Sequence, residues 1–325
     1  MVNAVEILGL SGLDQDLRRV EPMLVAAVSA GDPFLDEVAT HLIAAGGKRL
    51  RPMLALAAAT RGERRATEED MLGSVSVELV HLASLYHDDV IDEATVRRGT
   101  DSVNSRFGNL MAIVGGDYLL ARSAEIAAGL GNEIAGLLAT TLGLLCQGQI
   151  SEVKTAFSVR RTTEEYLTAI AGKTAALMAT SCRVGALTGG APGPEVEALT
   201  AFGRNFGMVF QLRDDILDVV ATNGELGKPA GQDLAEGVYT LPVLAALRDH
   251  DVGAELAGLL GAPLGLPERD KARAMVATST GIAATVEMGR EFAARATEAL
   301  DGVSSAELAK ALGALTENLF DDLPT

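Results

Sequence analysis

The chain has 325 residues and a formal net charge of −17, which makes it a poor generic binder of nucleic acid or of anionic lipid. Aromatic residues make up only 4% and tryptophan is absent, while alanine and leucine dominate, so helices are favoured over sheet. The two cysteines, Cys146 and Cys182, lack metal-binding or redox spacing, and we expect both to be buried thiols.

The N-terminal region carries no predicted signal peptide, and no stretch of the chain is predicted to span a membrane. Residues 11–45 predict two helices that break around Gly31-Asp32-Pro33. The segment GGKRLRP at 46–52 then supplies a glycine turn and three cations beside a helix start, where Pro52 fits the first turn. Cations at a helix N-terminus predict an anion site.

A long helix is predicted over residues 67–92, with Thr67 as its cap. It ends in a DDxxD motif formed by Asp88, Asp89 and Asp92. Residues four apart share a helix face, so Asp88 and Asp92 aim at one spot, and their hard oxygen ligands suit Mg²⁺ with substrate phosphates. For this motif alone, a solvated acidic turn at a helix end is an equal alternative.

A second DDxxD, formed by Asp214, Asp215 and Asp218, begins 126 residues later in another apolar helical run. Burying both sets without counter-charge would cost many kcal/mol. The simplest arrangement that makes both tolerable is a pair of facing carboxylate sets that clamp metal ions and a diphosphate.

Other segments are helical or loop-like. Residues 101–155 predict two long helices, and residues 242–321 are predicted to be helical. Gly172-Lys173 is not a P-loop, because Leu167 stands where that motif needs glycine and no strand precedes it. The glycine-rich stretch between Asp218 and Leu241 predicts a lid.

Taken together, the chain resembles the trans-isoprenyl diphosphate synthases, or polyprenyl synthetases. The motifs that carry the resemblance are GGKRLRP at 46–52, HDDVIDEATVRRG at 87–99, VNSRFGN at 103–109, GDYLLARS at 116–123, GKTAAL at 172–177, FQLRDDILD at 210–218 and LGKPAGQDL at 226–234. The resemblance implies an all-α fold, with residues 1–325 forming one large bundle around a central catalytic cavity. It also implies a Mg²⁺-dependent condensation of isopentenyl diphosphate onto an allylic diphosphate.

The resemblance also assigns roles to residues. Two to three Mg²⁺ ions are implied at Asp88, Asp92, Asp214 and Asp218. Ligands of isopentenyl diphosphate are implied at Lys48, Arg51, His81 and Arg98. Ligands of the allylic diphosphate are implied at Arg97 and Lys173, and Lys228 in the lid is implied to reach phosphate. Thr174 and Gln211 are implied to turn oxygens toward the developing allylic cation.

Product length is implied to depend on Ala83 and Ser84, where short-chain relatives carry a bulky aromatic residue. Both are small here, so a hexaprenyl to decaprenyl product is expected, with a geranylgeranyl product as the alternative. A homodimer in the cytoplasm is implied, with peripheral membrane contact for product release left open. The chain departs from the family at Gln149, where glutamate is common, and at Val238, where lysine is usual.

Two other functions are weighed. A class I terpene cyclase would share the first motif, but it would normally carry an NSE-type second motif and an aromatic-rich pocket. A non-catalytic subunit of a heteromeric synthase would be expected to lose aspartates from one motif, and both motifs are intact here.

Overall fold

The structure, a computed structural model, describes residues 4–221 and 230–321. Within these ranges the regular elements are helical except for one antiparallel pair of two-residue strands, β1 (Val96–Arg97) and β2 (Thr100–Asp101). The all-α prediction is therefore confirmed. Lys228 lies outside the described residues.

The helices run along the chain with short connections. The N-terminal half contains α1 (Ala4–Leu8), α2 (Leu13–Val28), α3 (Pro33–Ala44), α4 (Leu50–Thr60), α5 (Glu68–Ile91), α6 (Val103–Phe107), α7 (Asn109–Leu130) and α8 (Asn132–Lys154). The C-terminal half contains α9 (Thr163–Ile170), a π-helical turn (Ala171–Ala175), α10 (Ala176–Thr188), α11 (Gly193–Val220), α12 (Gln232–Ala235), α13 (Leu241–Ala246), α14 (Gly253–Leu259), α15 (Leu266–Thr278), α16 (Gly281–Ala299) and α17 (Ala306–Asp321).

Local chemistry explains where several of these helices begin. Asp32 caps α3 by accepting hydrogen bonds from the amides of Phe34 and Leu35, so the predicted break at residues 31–33 is present. Thr67 and Asp70 form a reciprocal capping box at the start of α5. These caps fix the ends of the helices that carry the acidic and basic motifs.

Buried apolar side chains form three clusters, and α11 joins two of them. Phe202 and Phe206 stack in the first cluster, with ring centroids 5.6 Å apart. Met208 and Leu212, further along the same helix, belong to the second. One helix therefore contributes to both clusters, and the single domain over residues 1–325 stays a prediction.

The outer side of α8 is unusual because it is apolar and exposed. No charged residue occurs between Glu133 and Glu152, and Leu144 and Ile150 are exposed. By length and composition α8 could cross a membrane, although an isolated apolar helix is weak evidence of that. Cys146 on this helix is exposed, which corrects the expectation of two buried thiols, whereas Cys182 is buried as expected.

Candidate active site

Both acidic motifs lie in the last turns of long helices. Asp88 is in the last turn of α5 and Asp92 is its C-cap, while Asp214 and Asp218 fall in the last two turns of α11. A helix C-terminus carries partial negative charge, which disfavours carboxylates there. The two helix ends therefore require cations from elsewhere.

The middle aspartate of each motif points away from the others. Asp89 is fully buried, and its Oδ1 accepts a hydrogen bond from Arg97 Nε at 2.7 Å. Asp215 is also buried, and it accepts hydrogen bonds from Tyr166 Oη and from Gln211 Nε2. Both middle carboxylates are thus held by protein donors.

The outer aspartates differ from one another in burial and in the charges around them. Burial raises the pKa of Asp88, against the opposing charge of Lys173. Asp92 is partly exposed, but the loss of hydration on its other side raises its pKa to about 6. The charge of Lys173 opposes this rise in pKa, and the charges of Glu236 and Asp88 add to it. The side chain of Asp214 is 46% exposed, whereas Asp218 is buried and its Oδ2 accepts the Asp233 amide at 3.3 Å.

These carboxylates suit a hard divalent cation, because every candidate ligand is an oxygen. Burial and neighbouring carboxylates raise the pKa of Asp88 and Asp92, so a cation placed between them would stabilise their ionised forms. Within residues 4–221 and 230–321, no three acidic, histidine or cysteine side chains form a complete metal site. A metal here would need further ligands from water and substrate phosphate, which is how Mg²⁺ is usually held.

Lys173 and Thr174 lie on the π-helical turn between α9 and α10. That turn approaches α8 closely, since a Cβ atom on Gly148 would lie 2.5 Å from the Lys173 amide nitrogen and one on Gly172 would lie 2.7 Å from the Leu144 carbonyl oxygen. Only glycine permits this approach. Single π-turns occur often at functional sites, and this one brings Lys173 toward α5.

Lys173 is paired with Glu152 of α8, with Nζ and Oε1 2.6 Å apart. Desolvation lowers the pKa of Lys173, but Glu152 and Asp88 outweigh it and the net shift is upward. The carboxylate missing at Gln149 is therefore supplied three residues later, one helical turn along the same face. Lys173 stays charged between Glu152 and the first acidic motif.

The predicted ligands of isopentenyl diphosphate form a cationic pocket. Burial lowers the pKa of Arg51 to about 10, and it lowers that of Lys48 against the charge of Asp214. Burial followed by the repulsion of Arg51 and Arg98 lowers the pKa of His81 well below its ordinary value. His81 is therefore a neutral donor or acceptor among cations.

Arg49 and Glu78 form a buried ion pair next to this pocket. Arg49 is buried in a left-handed conformation (φ 46°) and bonds Glu78 Oε1 at 2.8 Å and Glu21 Oε1 at 2.5 Å. Glu78 is buried, and burial raises its pKa despite Arg49 and Arg51. This ion pair fixes the backbone between Lys48 and Arg51.

The two arginines of the HDDVIDEATVRRG motif are engaged within the protein. Arg97 contacts Asp89, as described above. Arg98 donates to the carbonyl oxygens of Leu42 and Gly46, and its guanidinium packs against Gly47, where a Cβ would lie 2.8 Å away. Arg98 thus supports the glycine turn that presents Lys48.

A cavity of about 310 Å³ leads away from the first acidic motif between α5, α7 and α8. Its lining includes Asp88 and Lys173 at one end, and Ser84 and Val80 further along α5. Cys146, Gln149 and Ile150 of α8 line it as well. The cavity therefore passes Ser84 and reaches Val80.

Ala83 and Val77 have a different environment. Both are fully buried, Ala83 in the apolar cluster that also contains Leu82 and Tyr86. Neither is among the residues that line the cavity. The role of Ala83 in chain length, which rests on resemblance, stays a prediction, and Ser84 is the better placed of the pair.

Some residues of the site were not predicted from the sequence. Glu152 could have been found from its spacing to Gln149 on a helix. The partnership of Tyr166 with Asp215 had no sequence signal, because 49 residues separate them. The pair of Arg49 and Glu78 likewise joins two different helices.

Comparisons with known proteins agree with this geometry. The family model described as Polyprenyl synthetase matches residues 32–312. The chain is 44% identical over 284 residues to "Heptaprenyl diphosphate synthase component 2" of Geobacillus stearothermophilus, covering 87% of this chain and 86% of that protein. It is 36% identical over 301 residues to "Nonaprenyl diphosphate synthase" of Mycobacterium tuberculosis, covering 92% and 90%.

A solved structure extends the match to the fold. The polyprenyl synthase from Caulobacter crescentus, complexed with calcium and isoprenyl diphosphate, superposes with a TM-score of 0.91 at 29% identity, over 100% of this chain and 99% of that one. The resemblance carried by the motifs is therefore confirmed. The chain belongs to the polyprenyl synthetase family.

Proposed function

We propose that the protein condenses isopentenyl diphosphate onto an allylic diphosphate, such as farnesyl or geranylgeranyl diphosphate, and builds an all-trans polyprenyl diphosphate of medium to long chain. The observation that carries this proposal is the apolar cavity that begins at Asp88 and Lys173 and passes Ser84 to reach Val80. Asp88 and Lys173 line its polar end, and Lys173 also acts electrostatically on Asp92, as Lys48 and Arg51 do on Asp214. A diphosphate head and a growing hydrocarbon tail are thus accommodated together.

Each part of the site has a step in this reaction. Magnesium, held by Asp88, Asp92 and Asp214, would neutralise the allylic diphosphate as it departs. Lys173 steadies the same group, while Lys48, Arg51 and His81 hold the isopentenyl diphosphate. The oxygens of Thr174 and Gln211 face the allylic cation. The isopentenyl double bond attacks that cation, and the departing diphosphate accepts the proton that is lost.

We infer a homodimer from the exposed apolar face of α8. Leu144, Ile150 and Val153 are exposed on this helix, and a second copy would cover them. A cytoplasmic location, with peripheral membrane contact for release of the apolar product, is part of this proposal. The alternative is a heteromer with a different subunit, which the words "component 2" in the Geobacillus relative's name suggest for that protein. Light scattering of the purified protein gives a mass of two chains, about 67 kDa from 33.7 kDa per chain, if the homodimer is correct.

The deciding experiment is incubation with isopentenyl diphosphate, farnesyl diphosphate and Mg²⁺, followed by chromatography of the dephosphorylated products. We expect hexaprenyl to decaprenyl alcohols. A product no longer than geranylgeraniol would refute the long-chain part of the proposal. Cyclic hydrocarbons formed without isopentenyl diphosphate would refute the condensation itself.

A further inference from the structure

Four polar side chains form one hydrogen-bonded chain behind the reacting end of the cavity. Thr174 Oγ1 donates to Gln211 Oε1 at 2.7 Å, and Gln211 Nε2 donates to Asp215 Oδ1 at 2.8 Å. Tyr166 Oη donates to the other oxygen, Asp215 Oδ2. Tyr166, Asp215 and Thr174 are each at most 8% exposed, and Gln211 is half-buried.

Donation converges on the carboxylate of Asp215, from Gln211 on one side and from Tyr166 on the other. An amide nitrogen only donates and an amide oxygen only accepts. The hydrogen bond at one end of the Gln211 amide therefore decides whether the other end donates or accepts. Because Asp215 Oδ1 accepts, the amide of Gln211 must turn its oxygen toward Thr174. The hydrogen of Thr174 is thereby committed to Gln211, and its lone pairs stay available to a cation.

This direction is set by the ionised carboxylate of Asp215, because both of its oxygens then accept hydrogen bonds. Turning the amide of Gln211 over would bring its carbonyl oxygen against Oδ1 of Asp215. Both atoms are acceptors, so no hydrogen bond could form between them. A buried mismatch of this kind is costly.

We propose that Asp215 and Tyr166 are positioning residues that fix the amide of Gln211, and that this keeps the hydroxyl hydrogen of Thr174 turned away from the allylic cation. Asp215 would therefore serve orientation and not metal binding, despite its place in the second acidic motif. This inference rests on the proposed condensation. It adds to it a reason why the orientation of the Gln211 amide matters to the rate.

The matched variants are Asp215→Asn, Tyr166→Phe and the double variant. In Asp215→Asn, the Tyr166 hydroxyl needs an acceptor and takes the new amide oxygen, which leaves the new NH₂ facing Gln211. Gln211 then turns over, and its own NH₂ faces Thr174, whose hydrogen is driven toward the cavity. We expect kcat to fall about 10²-fold, the scale of losing one positioned oxygen at a transition state.

Removing the tyrosine hydroxyl as well should reverse part of this loss. Phenylalanine donates nothing, so the asparagine can return its oxygen to Gln211 and restore the original direction. We expect Asp215→Asn with Tyr166→Phe to turn over at least ~5-fold faster than Asp215→Asn alone, a fraction of the ~10²-fold loss. The two proteins carry the same charge, so their difference isolates orientation. Tyr166→Phe alone should be within ~3-fold of the wild type, because Asp215 Oδ1 still accepts.

Three further measurements separate this role from others. The Michaelis constant for isopentenyl diphosphate should stay within ~2-fold in all variants, and binding of magnesium diphosphate by calorimetry should match the wild type in Asp215→Asn but weaken in Asp214→Asn. In Asp215→Asn, prenyl alcohol should form a larger share of the product, because water captures a poorly stabilised cation. This share should fall again in the double variant.

If Asp215→Asn does not fold, the combination of Gln211→Glu with Asp215→Asn tests the same question. The introduced asparagine amide would donate to the introduced carboxylate, and the hydroxyl of Thr174 would still donate to residue 211.

The outcomes are decisive. A double variant no faster than Asp215→Asn overturns the inference, as does an Asp215→Asn enzyme that condenses at the normal rate. Weakened magnesium diphosphate binding in Asp215→Asn would make Asp215 a metal ligand instead. A folded but inactive Gln211→Glu, Asp215→Asn protein would also count against it. Absence of condensation by the wild-type protein would refute the proposed function, which is a separate result.

Discussion

At the scale of single residues, one five-letter motif serves two purposes. The first and last aspartates of each DDxxD lie toward the helix end, whereas Asp89 and Asp215 are buried and bonded to Arg97 and to Tyr166. The motif therefore supplies both the carboxylates that suit a metal and the anchors that hold their helices. Substitutions within one motif should separate these effects.

The outer aspartates are expected to control turnover. Asp88→Ala or Asp214→Ala should each lower kcat by at least ~10²-fold, because each removes a group that positions charge in the transition state. The fold should survive, since both changes relieve repulsion between carboxylates. Steady-state kinetics with thermal unfolding measures this, and Asp301→Ala, an exposed aspartate remote from the cavity, is the control. Near-normal turnover in either variant would contradict a two-sided clamp.

The acidity of Asp92 predicts how the metal requirement depends on pH. Its pKa of about 6 lies above the ordinary 3.8, so this carboxyl holds a proton below about pH 6 and is ionised above it. A metal must compete with that proton, and the Mg²⁺ concentration for half-maximal activity should rise as pH falls from about 7.5 to about 6. In Asp92→Asn the rise should be smaller. An identical pH profile in this variant would rule out Asp92 as its source.

At the scale of helices, the site depends on how closely α8 meets the π-helical turn. Gly148 and Gly172 let the two backbones touch, and this contact places Lys173 opposite Glu152. The ion pair is thus a consequence of two glycines on different elements. If α8 and the π-helical turn were pushed apart, Lys173 should be displaced more than the rest of the site.

Gly148→Ala tests this contact. Its Cβ would lie 2.5 Å from the Lys173 amide nitrogen, and the overlap should lower the free energy of unfolding by about 1–3 kcal/mol and reduce kcat. Gly143→Ala is the matched control on the same helix, because a Cβ there meets nothing within 4 Å. That change should be neutral or stabilise by about 0.4–1 kcal/mol. Denaturant unfolding compares the two, and equal midpoints would show that the approach is not required.

At the scale of the whole molecule, three helices enclose the space for the product. The cavity between α5, α7 and α8 begins at the polar site and is open past Ser84, so the growing chain can extend toward Val80. A product of hexaprenyl length or more would need further room along this path. Its length should be set by what blocks the path.

Ser84→Phe should block it. A ring at this lining position would shorten the main product to the farnesyl or geranylgeranyl class while condensation continues. Ala83→Phe is the companion variant. It should shorten the product if Ala83 has the role that the resemblance implies, whereas a ring forced only into the apolar core should cost about 1–3 kcal/mol of stability and leave product length unchanged. Chromatography of dephosphorylated products distinguishes them. Shortening by Ala83→Phe alone would mean that the chain passes on the other side of α5.

The sequence by itself determined the helical class, the helix caps and the positions of the two acidic motifs. Composition, the residues at 32 and 67 and the repeated DDxxD are local patterns, and local chemistry decides what they form. The same patterns located Lys48, Lys173 and the small Ser84 along the chain. For these features, no knowledge of distant contacts was needed.

Only the tertiary structure decided which way individual side chains turn. Periodicity places Asp88, Asp92 and Asp89 on a helix, but the partner of Asp89 comes from the strand that follows. The links of Lys173 to Glu152 and of Tyr166 to Asp215 join elements that are 21 and 49 residues apart. Such contacts arise from the packing of whole helices, so the roles of Glu152, Tyr166 and Asp215 become visible only once the fold brings the elements together.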